Sequence, residues 1–366
     1  MQSAVAEGVF PGAVLLVRFR GAVAYERAFG VAASLPVPES VSPRTIYDLA
    51  SLTKPLATTT ALICLAEEGR LDLTTPLQAL LPELKDSAIG QASVGHLLSH
   101  RAGLPAWRPY YERLCPSQRR EPGPEGVERT ALGLIREESL EAPIGVQCRY
   151  SDLGFMLLGF VIGRVSGMSL AHFCRERVFA PLGIDDLFFL GSDGRPIGRA
   201  PDGVNLSRIA PTEKDPWRGR MVRGEVHDEN AYALGGVAGH SGLFGTASAV
   251  SQVSGCWLSA CLGRKSLLSP EWVTSFLLGP DRRPGCSWVY GWDTPSRPSS
   301  SGTYFSLSSF GHLGFTGTSL WIDPGAELEV ILLSNRVHPT RTNEAIRAFR
   351  PKIHDLIYQE FVARSG

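Results

Sequence analysis

The chain has 366 residues with 36 basic and 36 acidic side chains, so its formal net charge is zero and its pI is about 7.1. This even balance, without a basic stripe, argues against a nucleic acid or an acidic membrane surface as the main partner. A hydrophobic share of 43% and a mean hydropathy of +0.00 are typical of a soluble globular protein. The length suits two domains, or one domain with a large insertion.

The N-terminus and the apolar runs predict neither a targeting segment nor a membrane span. Residues 1–10 lack the basic and apolar regions of a signal peptide, so we expect a cytoplasmic protein, or a periplasmic or extracellular one if the sequence has been trimmed. The most apolar run, residues 155–165, is shorter than the roughly 20 residues that span a bilayer. No integral membrane segment is therefore predicted.

The cysteines predict neither a zinc ribbon nor a disulfide framework. There are seven of them, an odd number, and no two form a CxxC pair. This usage mildly favours a reducing compartment, in agreement with the cytoplasmic expectation.

The first predicted elements are strands that lead into a helix. Residues 12–19 and 22–30 are apolar runs around a short turn at residues 20–21, which predicts a β-hairpin. Residues 45–49 are typical of an extended segment. From Ser51 onward, apolar residues recur at helical spacing until Gly69, which can end the helix.

The middle of the chain is predicted to be mainly helical, and strands return near the C-terminus. Helices are predicted at residues 94–99, 132–138, 152–165, 170–179 and 247–262, and irregular segments at 107–125 and 191–230. Strands are predicted at residues 287–292, 304–307, 318–322 and 328–333, followed by helix at 343–349 and 353–363 with an interruption at Pro351.

Strands at both ends with helices between them indicate an α+β protein in which the two chain ends share one sheet. Residues 1–75 and 245–366 are predicted to form this sheet domain. Residues 76–244 are predicted to form an inserted, mainly helical domain with a long irregular excursion at about 191–230. We expect the active site at the interface of the two, where ligand sites are common.

Ser51 and Lys54 are the first candidate catalytic residues. Residues three apart share a helix face, so the lysine amine can lie beside the serine hydroxyl at the start of the helix. A serine hydroxyl needs an adjacent base to attack a carbonyl group, and a desolvated lysine can be neutral enough to serve. The alternative is that Ser51 only caps the helix and Lys54 is solvated.

Tyr150 is the second candidate, because it stands directly before the helix predicted at residues 152–165. Asp152 can cap that helix, and a loop tyrosine there is free to point into a cleft. If cations lower its pKa, Tyr150 can accept the Ser51 proton and return one to the leaving group. The alternative is a hydrophobic staple, in which the ring only packs against the helix.

The third candidate region is the glycine-rich segment at residues 310–319. Glycine in a strand commonly marks the close approach of a ligand or another backbone, so this edge can hold a substrate. The N–H of Phe315 can then join that of Ser51 in an oxyanion hole, with His312 as a donor beside it. The alternative is an ordinary glycine-rich turn. A P-loop is excluded because no Gly-Lys-Ser/Thr ending is present.

The remaining histidines favour structural roles. His96 and His100 have zinc-ligand spacing, but no glutamate follows His96, so a structural role is favoured. The polar cluster at residues 227–230 is either a metal or substrate site or, as we favour, a set of local hydrogen bonds that orders its loop. Residues 239–243 lack the second glycine of a nucleophile elbow, which disfavours an α/β-hydrolase.

These residues carry a family resemblance. Ser51-Leu52-Thr53-Lys54, Tyr150-Ser151-Asp152 and His312-Leu313-Gly314 stand in the order and approximate separation of three motifs of the serine β-lactamase and penicillin-binding protein superfamily. The chain resembles its class C and esterase-like branch most closely, and the likeness extends over nearly the whole chain. It implies a β-lactamase/transpeptidase-like fold, namely an antiparallel sheet flanked by N- and C-terminal helices with an inserted all-helical domain.

The resemblance also implies a serine acyl-enzyme mechanism without a metal or other cofactor. By match to the motifs, Ser51 is the expected nucleophile, and Lys54 and Tyr150 are the base and proton shuttle. Asp152 is the expected polar contact to the substrate, and His312 and Gly314 form the strand edge that binds it.

Two positions depart from the usual motifs. Asp152 stands where the superfamily usually has asparagine; an ionised carboxylate only accepts hydrogen bonds and can pair with Lys54. Leu313 replaces a threonine, and His312 supplies a pH-dependent charge that titrates near roughly pH 6.5. These departures fit an esterase, an amidase or a D-amino-acid peptidase at least as well as a strong β-lactamase, and a weak β-lactamase stays among the expected activities.

The sequence thus predicts a serine hydrolase that forms an acyl-enzyme on Ser51 and acts on a small-molecule ester, amide or peptide. The alternative is a penicillin-binding or muropeptide-sensing protein with slow turnover. The sequence leaves the physiological substrate and the oligomeric state open.

Overall fold

The computed structural model describes residues 1–35, 37–115, 124–191, 194–197, 205–279 and 285–364. Its strands are β1 (Gly12–Phe19), β2 (Ala22–Ala33), β3 (Glu39–Ser40), β4 (Tyr47–Asp48), β5 (Leu187–Phe189), β6 (Lys214–Asp215), β7 (Arg220–Met221), β8 (Leu243–Gly245), β9 (Phe310–Leu313), β10 (Ser319–Asp323) and β11 (Leu328–Ser334). Its α-helices are α1 (Gln2–Ala6), α2 (Thr60–Glu67), α3 (Leu77–Leu80), α4 (Val94–Leu98), α5 (Tyr111–Leu114), α6 (Pro124–Arg136), α7 (Asp152–Ser166), α8 (Leu170–Cys174), α9 (Glu229–Ala233), α10 (Ala247–Cys261), α11 (Pro270–Leu278) and α12 (Ile346–Tyr358).

Both ends of the chain build one antiparallel sheet, with the strand order β3-β2-β1-β11-β10-β9. The predicted hairpin is present: Arg20 and Gly21 connect β1 to β2 with φ angles of 49° and 84°, the left-handed conformation that tight hairpins require. The α+β fold class is confirmed. The domain boundaries near residues 75 and 245 stay a prediction.

Helices cover both faces of this sheet because the strands alternate apolar side chains to either side. Val14 and Leu16 belong to the main core, which includes the buried Trp257 of α10. Their neighbours Leu15 and Val17 pack on the opposite face, in a cluster with residues of α12. Burying one such side chain fully stabilises the fold by about 1.5–3 kcal/mol, so the two faces together hold the sheet between the helices.

The helix that follows Tyr150 forms as predicted. In α7, Ser151 is the N-cap and accepts a hydrogen bond from Gly154 N, and the helix ends at Gly167 with φ 74°. The expected capping by Asp152 is wrong, since the Ser151 hydroxyl already fills that role and frees the Asp152 carboxylate for another contact. The predicted helix at 170–179 is also present, as α8 continued by a π-helical segment.

Within the described ranges, no single helix is long and apolar enough to cross a membrane. The helical segments Asp152–Ser166 and Leu170–Phe179 pass that test by length and composition only when taken together, and they are bent by 72°.

Three local predictions are wrong. Residues 287–292 and 304–307 do not form strands; the first folds back on itself, with Val289 N donating to Trp292 O and Gly291 at φ 78°. Aromatic, β-prone residues suggested strands there, but the tight turn decides the conformation. Pro351 lies inside a continuous α12, because the buried face of that helix spans both sides of it.

The two segments predicted as irregular contain short elements. Residues 116–123, 192–193 and 198–204 lie outside the described residues. The described parts include α5 and the start of α6 in the first segment, and the β6–β7 hairpin and the beginning of α9 in the second.

The prediction that cysteines form no disulfide is wrong for one pair. Cys148 and Cys286 form a disulfide with their Cα atoms 5.6 Å apart, although they are 138 residues apart in the sequence. Cysteine spacing does not reveal such a bond, because only the packing of distant segments brings the two thiols together.

Candidate active site

A sharp turn places Ser51 at the start of its helix. Strand β4 ends at Asp48, and Ala50 then takes a left-handed conformation with φ 47°, which is uncommon for a residue with a side chain. The buried Asp48 carboxylate holds this turn by accepting a hydrogen bond from Ala50 N at 2.8 Å. A helical turn at Ala50–Leu52 and a π-helical turn at Lys54–Thr59 then lead into α2. The predicted change from strand to helix is therefore present at Ser51.

Three oxygen atoms surround the amine of Lys54. Its Nζ atom donates to Ser51 Oγ at 2.9 Å and to His240 O at 3.0 Å, and it forms an ion pair with Asp152 Oδ1 at 2.7 Å. The Lys54 side chain is fully buried. It is therefore a positioned group of the site, and the alternative of a solvated lysine is wrong.

Tyr150 reaches the same serine from the other side. Its hydroxyl donates to Ser51 Oγ at 2.9 Å, and the ammonium of Lys54 lies 4.8 Å from the centre of its ring. The rings of His100 and Trp288 pack against it, with centroid distances of 4.6 and 5.2 Å. Ser51 Oγ thus accepts hydrogen bonds from both of the residues that were predicted to move its proton.

Both proton-carrying groups hold their protons at neutral pH. Burial raises the pKa of Tyr150 to about 12, and the neighbouring Lys54 offsets only part of this effect. Burial by itself would lower the pKa of Lys54, but the Asp152 carboxylate and Tyr150 outweigh it and raise that pKa above its usual value. The expectation of a neutral lysine is therefore wrong for the resting enzyme, and the form able to accept a proton is a minor one.

The glycine-rich segment lies against the Ser51 turn. A side chain at Gly314 would place its Cβ 1.9 Å from Thr318 Oγ1 and 2.6 Å from Leu49 O, so only glycine allows this approach. Thr318 Oγ1 donates to Leu49 O at 3.1 Å and fixes the contact. As predicted from its glycines, β9 is an edge strand. Phe315 follows it and is 49% exposed.

His312 is buried beside this edge and does not titrate where it was expected to. Its Nδ1 atom lies 2.7 Å from Leu313 O, which only accepts, so Nδ1 carries the proton. Burial and the charge of Lys54 lower the pKa of His312 to about 3. The predicted titration near roughly pH 6.5 is wrong because a charged ring would lose its hydration there. A contact between His312 and substrate stays a prediction.

A cavity of about 540 Å³ opens over Ser51. Its wall includes the predicted residues Tyr150, Asp152, Gly314 and Phe315. The other residues that line it are Ala50, Trp107, His227, Asp228, Glu229, Ser241, Leu313, Arg336, Arg341, Ile346, Arg347 and Arg350.

One wall of the cavity carries an excess of positive charge. Arg350 is 6% exposed, and its Nη2 atom donates to Gly314 O at 2.8 Å and to Thr318 O at 2.7 Å. Within the described part of the chain it forms no ion pair with a carboxylate, and its Nε atom is buried without a hydrogen-bond partner. Burial, followed by the charges of Arg336 and Arg347, lowers its pKa to about 9. This wall is therefore suited to an anionic group.

Hydrogen bonds join the residues of the polar cluster at 227–230, three of which also line the cavity. Asp228 Oδ1 lies 2.8 Å from His240 Nε2. The carbonyl oxygen of His240 in turn accepts the hydrogen bond from Lys54. Asn230 accepts from Tyr111 N and donates to Arg108 O, both at 2.8 Å. The favoured interpretation, local hydrogen bonding, is present. A substrate contact of Asp228 or Glu229 stays a prediction.

Sequence reasoning missed several parts of the site. Trp288 was assigned to a strand, His100 was judged only for zinc binding, and Arg350 fell between the two predicted C-terminal helical segments. Each reaches the site through tertiary packing. At His100 the structure shows an unusual positive φ of 55°, but a dihedral angle is not visible in a sequence.

A serine bonded to both a buried lysine and a tyrosine, between an antiparallel sheet edge and a helical region, defines the class of the serine β-lactamases and penicillin-binding proteins. A family model confirms this class: the chain belongs to the Beta-lactamase family, whose model matches residues 1–352. The resemblance seen in the three motifs is thereby confirmed.

Known relatives and solved structures extend over nearly the whole chain. A protein of Escherichia coli (strain K12), provisionally named D-alanyl-D-alanine carboxypeptidase, is 29% identical over 90% of this chain and 79% of its own length. An N-acetylmuramyl-L-alanine amidase of Bacillus subtilis (strain 168) is 29% identical over 90% of this chain and 78% of its own. The structure of an octameric penicillin-binding protein homologue from Pyrococcus abyssi is similar with a TM-score of 0.68, at 22% identity, covering 98% of this chain and 78% of that one. The chain is thus an enzyme of this hydrolase family.

Proposed function

We propose that this protein is a serine hydrolase that forms an acyl-enzyme on Ser51 and cleaves peptide-like amides or esters that carry a carboxylate. The observation that carries the proposal is the pair of 2.9 Å hydrogen bonds from Lys54 Nζ and Tyr150 Oη to Ser51 Oγ. A hydroxyl held between two groups that can exchange protons is arranged for nucleophilic attack.

The first step is the attack of Ser51 Oγ on the substrate carbonyl carbon. The hydroxyl proton passes to the Lys54–Tyr150 pair after that pair has lost one proton to solvent. Because the two groups are coupled by their shared hydrogen-bond acceptor and their charges, the proton belongs to the pair and not to either residue alone. Attack therefore becomes more frequent as the pH rises.

The carbonyl oxygen gains negative charge during the attack. We propose that the backbone N–H groups of Ser51 and Phe315 bind this oxyanion. The close approach of Gly314 to Leu49 O supports the arrangement, because it presses the end of β9 against the turn that carries Ser51. The first helical turn after Ser51 adds positive potential at the same point.

Collapse of the intermediate needs a proton for the leaving group, and Tyr150 lies at the right place to donate it. The amide or ester bond breaks, the leaving amine or alcohol takes the proton, and the acyl group stays on Ser51 Oγ. A water molecule then attacks the ester and gives its proton to the pair; the bond between the acyl carbon and Ser51 Oγ breaks, Ser51 takes the proton from the pair, and the acid leaves. The pair then regains a proton from solvent. The enzyme returns to its starting protonation state.

Arg350 supports a preference for anionic substrates. It is a buried cation on the cavity wall that lacks a carboxylate partner among the described residues, and Arg347 lies on the same wall. A substrate carboxylate would supply the missing negative charge, and a hydrogen bond to a charged group typically contributes about 1.5–3 kcal/mol. The name of the Escherichia coli relative, a carboxypeptidase, agrees with a substrate that ends in a carboxylate.

The alternative is a penicillin-binding or muropeptide-sensing protein that acylates and then turns over slowly; the raised pKa of Lys54 slows both the attack of Ser51 and that of water, and this alternative requires the attack of water to be slowed more. A protonated lysine is a poor base for the water that must remove the acyl group. In this case Ser51 would be acylated once, and product would appear as a burst without a steady state.

The test compares an N-acylated D-alanyl-D-alanine with a free carboxylate against the same dipeptide capped as a methyl amide. We expect kcat/KM to favour the free acid, and this preference to fall by about tenfold or more in Arg350→Lys, since lysine cannot keep both backbone contacts and reach the substrate. Asp185→Asn, at a side chain 69% exposed, is the matched control and should keep the preference. Equal rates on both substrates in the wild type would refute the carboxylate preference, and a burst without turnover would establish the alternative.

A further inference from the structure

The disulfide of this protein joins the two segments that meet at Tyr150. Cys148 lies two residues before Tyr150, and Cys286 lies two residues before Trp288. The centroids of the Trp288 and Tyr150 rings are 5.2 Å apart. The disulfide joins the segment that carries Trp288 to the loop that carries Tyr150. The disulfide therefore links the two segments whose aromatic rings, Tyr150 and Trp288, are in contact.

Trp288 contacts more of the site than Tyr150 alone. It lies 4.7 Å from His100 and 5.2 Å from His312, again between ring centroids. With Tyr150 these rings form a cluster of four, and their packing selects the rotamer in which the Tyr150 hydroxyl reaches Ser51 Oγ. Displacing one ring would loosen that selection.

The segment that carries Trp288 is an irregular loop. It belongs to no helix or strand, and its nearest regular neighbour, α11, ends at residue 278. Hydrogen bonds close it into a tight loop, through Thr294 N to Ser287 O and Val289 N to Trp292 O, and join it to its surroundings through Gly291 N to Leu98 O and Asp293 N to Gly311 O. The disulfide at Cys286 is therefore the covalent link between the start of this loop, next to Trp288, and the segment that carries Tyr150.

The bond lies where a small thiol can reach it. Both Cys148 and Cys286 are partly exposed, unlike Cys64 and Cys174, which are buried in the core. Partly exposed disulfides are open to attack by thiolates, whereas buried thiols react slowly.

We infer that the Cys148–Cys286 disulfide is a thiol-sensitive positioning element that holds Trp288 against Tyr150 and so keeps the Tyr150 hydroxyl on Ser51. In the reduction, a dithiol breaks the S–S bond, both cysteines become thiols, and the dithiol is oxidised to its own cyclic disulfide. The two electrons and two protons come from the dithiol. The released Trp288 segment then leaves Tyr150 less constrained, and acylation slows. This inference rests on the role proposed for Tyr150.

The experiment measures the acylation rate of the folded wild type with a chromogenic ester, before and after treatment with dithiothreitol. We expect reduction to lower kcat by about tenfold or more, since a small displacement of a catalytic group has effects of this size, while KM changes little. Cys148→Ser with Cys286→Ser should have the reduced rate and no response to dithiothreitol. Cys261→Ser, which leaves the disulfide intact, should respond as the wild type does.

A purely structural effect is separated from a positioning effect by the Tyr150→Phe variant. If the disulfide acts through Tyr150, reduction should hardly change the residual rate of that variant. A further tenfold loss there would overturn the inference, as would an unchanged kcat of the reduced wild type. Mass spectrometry of the unreduced protein should find one peptide pair linked through Cys148 and Cys286, and its absence would also overturn it. The Ser51→Ala variant tests the proposed function separately. If this variant is still covalently labelled, the proposed function is refuted, whatever effect reduction has on the wild type.

Discussion

Replacing Asp152 with asparagine should shift the activity of this enzyme toward lower pH. The carboxylate lies 2.7 Å from the buried ammonium of Lys54 and is the main charge that raises the pKa of that group against the effect of burial. Asparagine keeps the size and one oxygen acceptor but removes the charge. The proton-accepting form of the Lys54–Tyr150 pair should then be more abundant at neutral pH.

The size of the effect follows from the ion pair. Two unit charges about 4 Å apart interact by about 4 kcal/mol at an effective dielectric constant of about 20. Part of this is lost because the Asp152 side chain is 17% exposed. Opposite charges in such contacts typically move a titration by about 1 to 3 pH units. We therefore expect the rising limb of the pH–rate profile to move down by about that much.

The stability of the fold should change in the opposite sense. Lys54 has no exposed surface, so without Asp152 its charge is buried with only neutral acceptors around it. Removing one partner of a buried ion pair typically destabilises a protein by about 3–5 kcal/mol, and the remaining asparagine oxygen reduces this. Since the pKa of Lys54 is raised in the folded state, its contribution to stability is present at neutral pH and is lost as pH rises through that raised pKa.

The assay is kcat/KM for a neutral chromogenic ester between about pH 5 and about pH 10, a range that approaches the ordinary pKa values of lysine and tyrosine from below. Asp152→Glu is the matched control: it keeps the charge, so its rising limb should stay near that of the wild type. A limb that does not move in Asp152→Asn, or that moves to higher pH, would refute the assignment of the proton transfer to this pair.

Three further predictions concern the Lys54–Tyr150 pair, His312 and Glu329. Lys54→Ala and Tyr150→Phe should each lower kcat about as much as the double variant does, because they share one proton-transfer step; independent, multiplying losses would separate them. The kcat/KM ratio of an anionic to a neutral ester should be flat from about pH 5 to about pH 8, because the pKa of His312 is lowered to about 3, and a step near neutral pH would contradict this. Burial raises the pKa of Glu329 from 4.5 to about 7, an effect that Ser254 partly offsets. The Glu329 carboxyl therefore ionises at lower pH in the unfolded chain than in the folded one. As pH rises through this interval, the free energy of unfolding of the wild type should fall relative to that of Glu329→Gln by up to about 3 kcal/mol, measured by chemical denaturation. Parallel plots of this free energy against pH for the two proteins would disprove the prediction.

The parts of the fold that the sequence predicts are those set by local patterns. The β1–β2 hairpin follows from alternating apolar residues around a turn, and α7 from apolar spacing that ends at Gly167. The Ser51 turn is predictable because motif, strand and helix lie within one short segment. In these cases neighbours along the chain decide the conformation.

The parts that the sequence does not predict depend on contacts between distant segments. Trp288 is β-prone by type, but a tight turn and a disulfide to Cys148 determine its place. The charge states are not predicted from the sequence either. Burial lowers the pKa of His312 and leaves its ring neutral, whereas Asp152 raises the pKa of Lys54 and keeps its amine charged. A sequence gives the residue type, whereas a pKa depends on what surrounds it.

Covalent labelling of Ser51 tests the central claim most directly. The wild type, incubated with a fluorophosphonate or a labelled penicillin and digested, should yield one modified peptide that contains Ser51, because only this hydroxyl is bonded to both Lys54 and Tyr150 in the described chain. Ser51→Ala should keep the fold and lose both the label and turnover. A label on any other residue, or labelling and turnover that persist in Ser51→Ala, would contradict the assignment of Ser51 as the nucleophile.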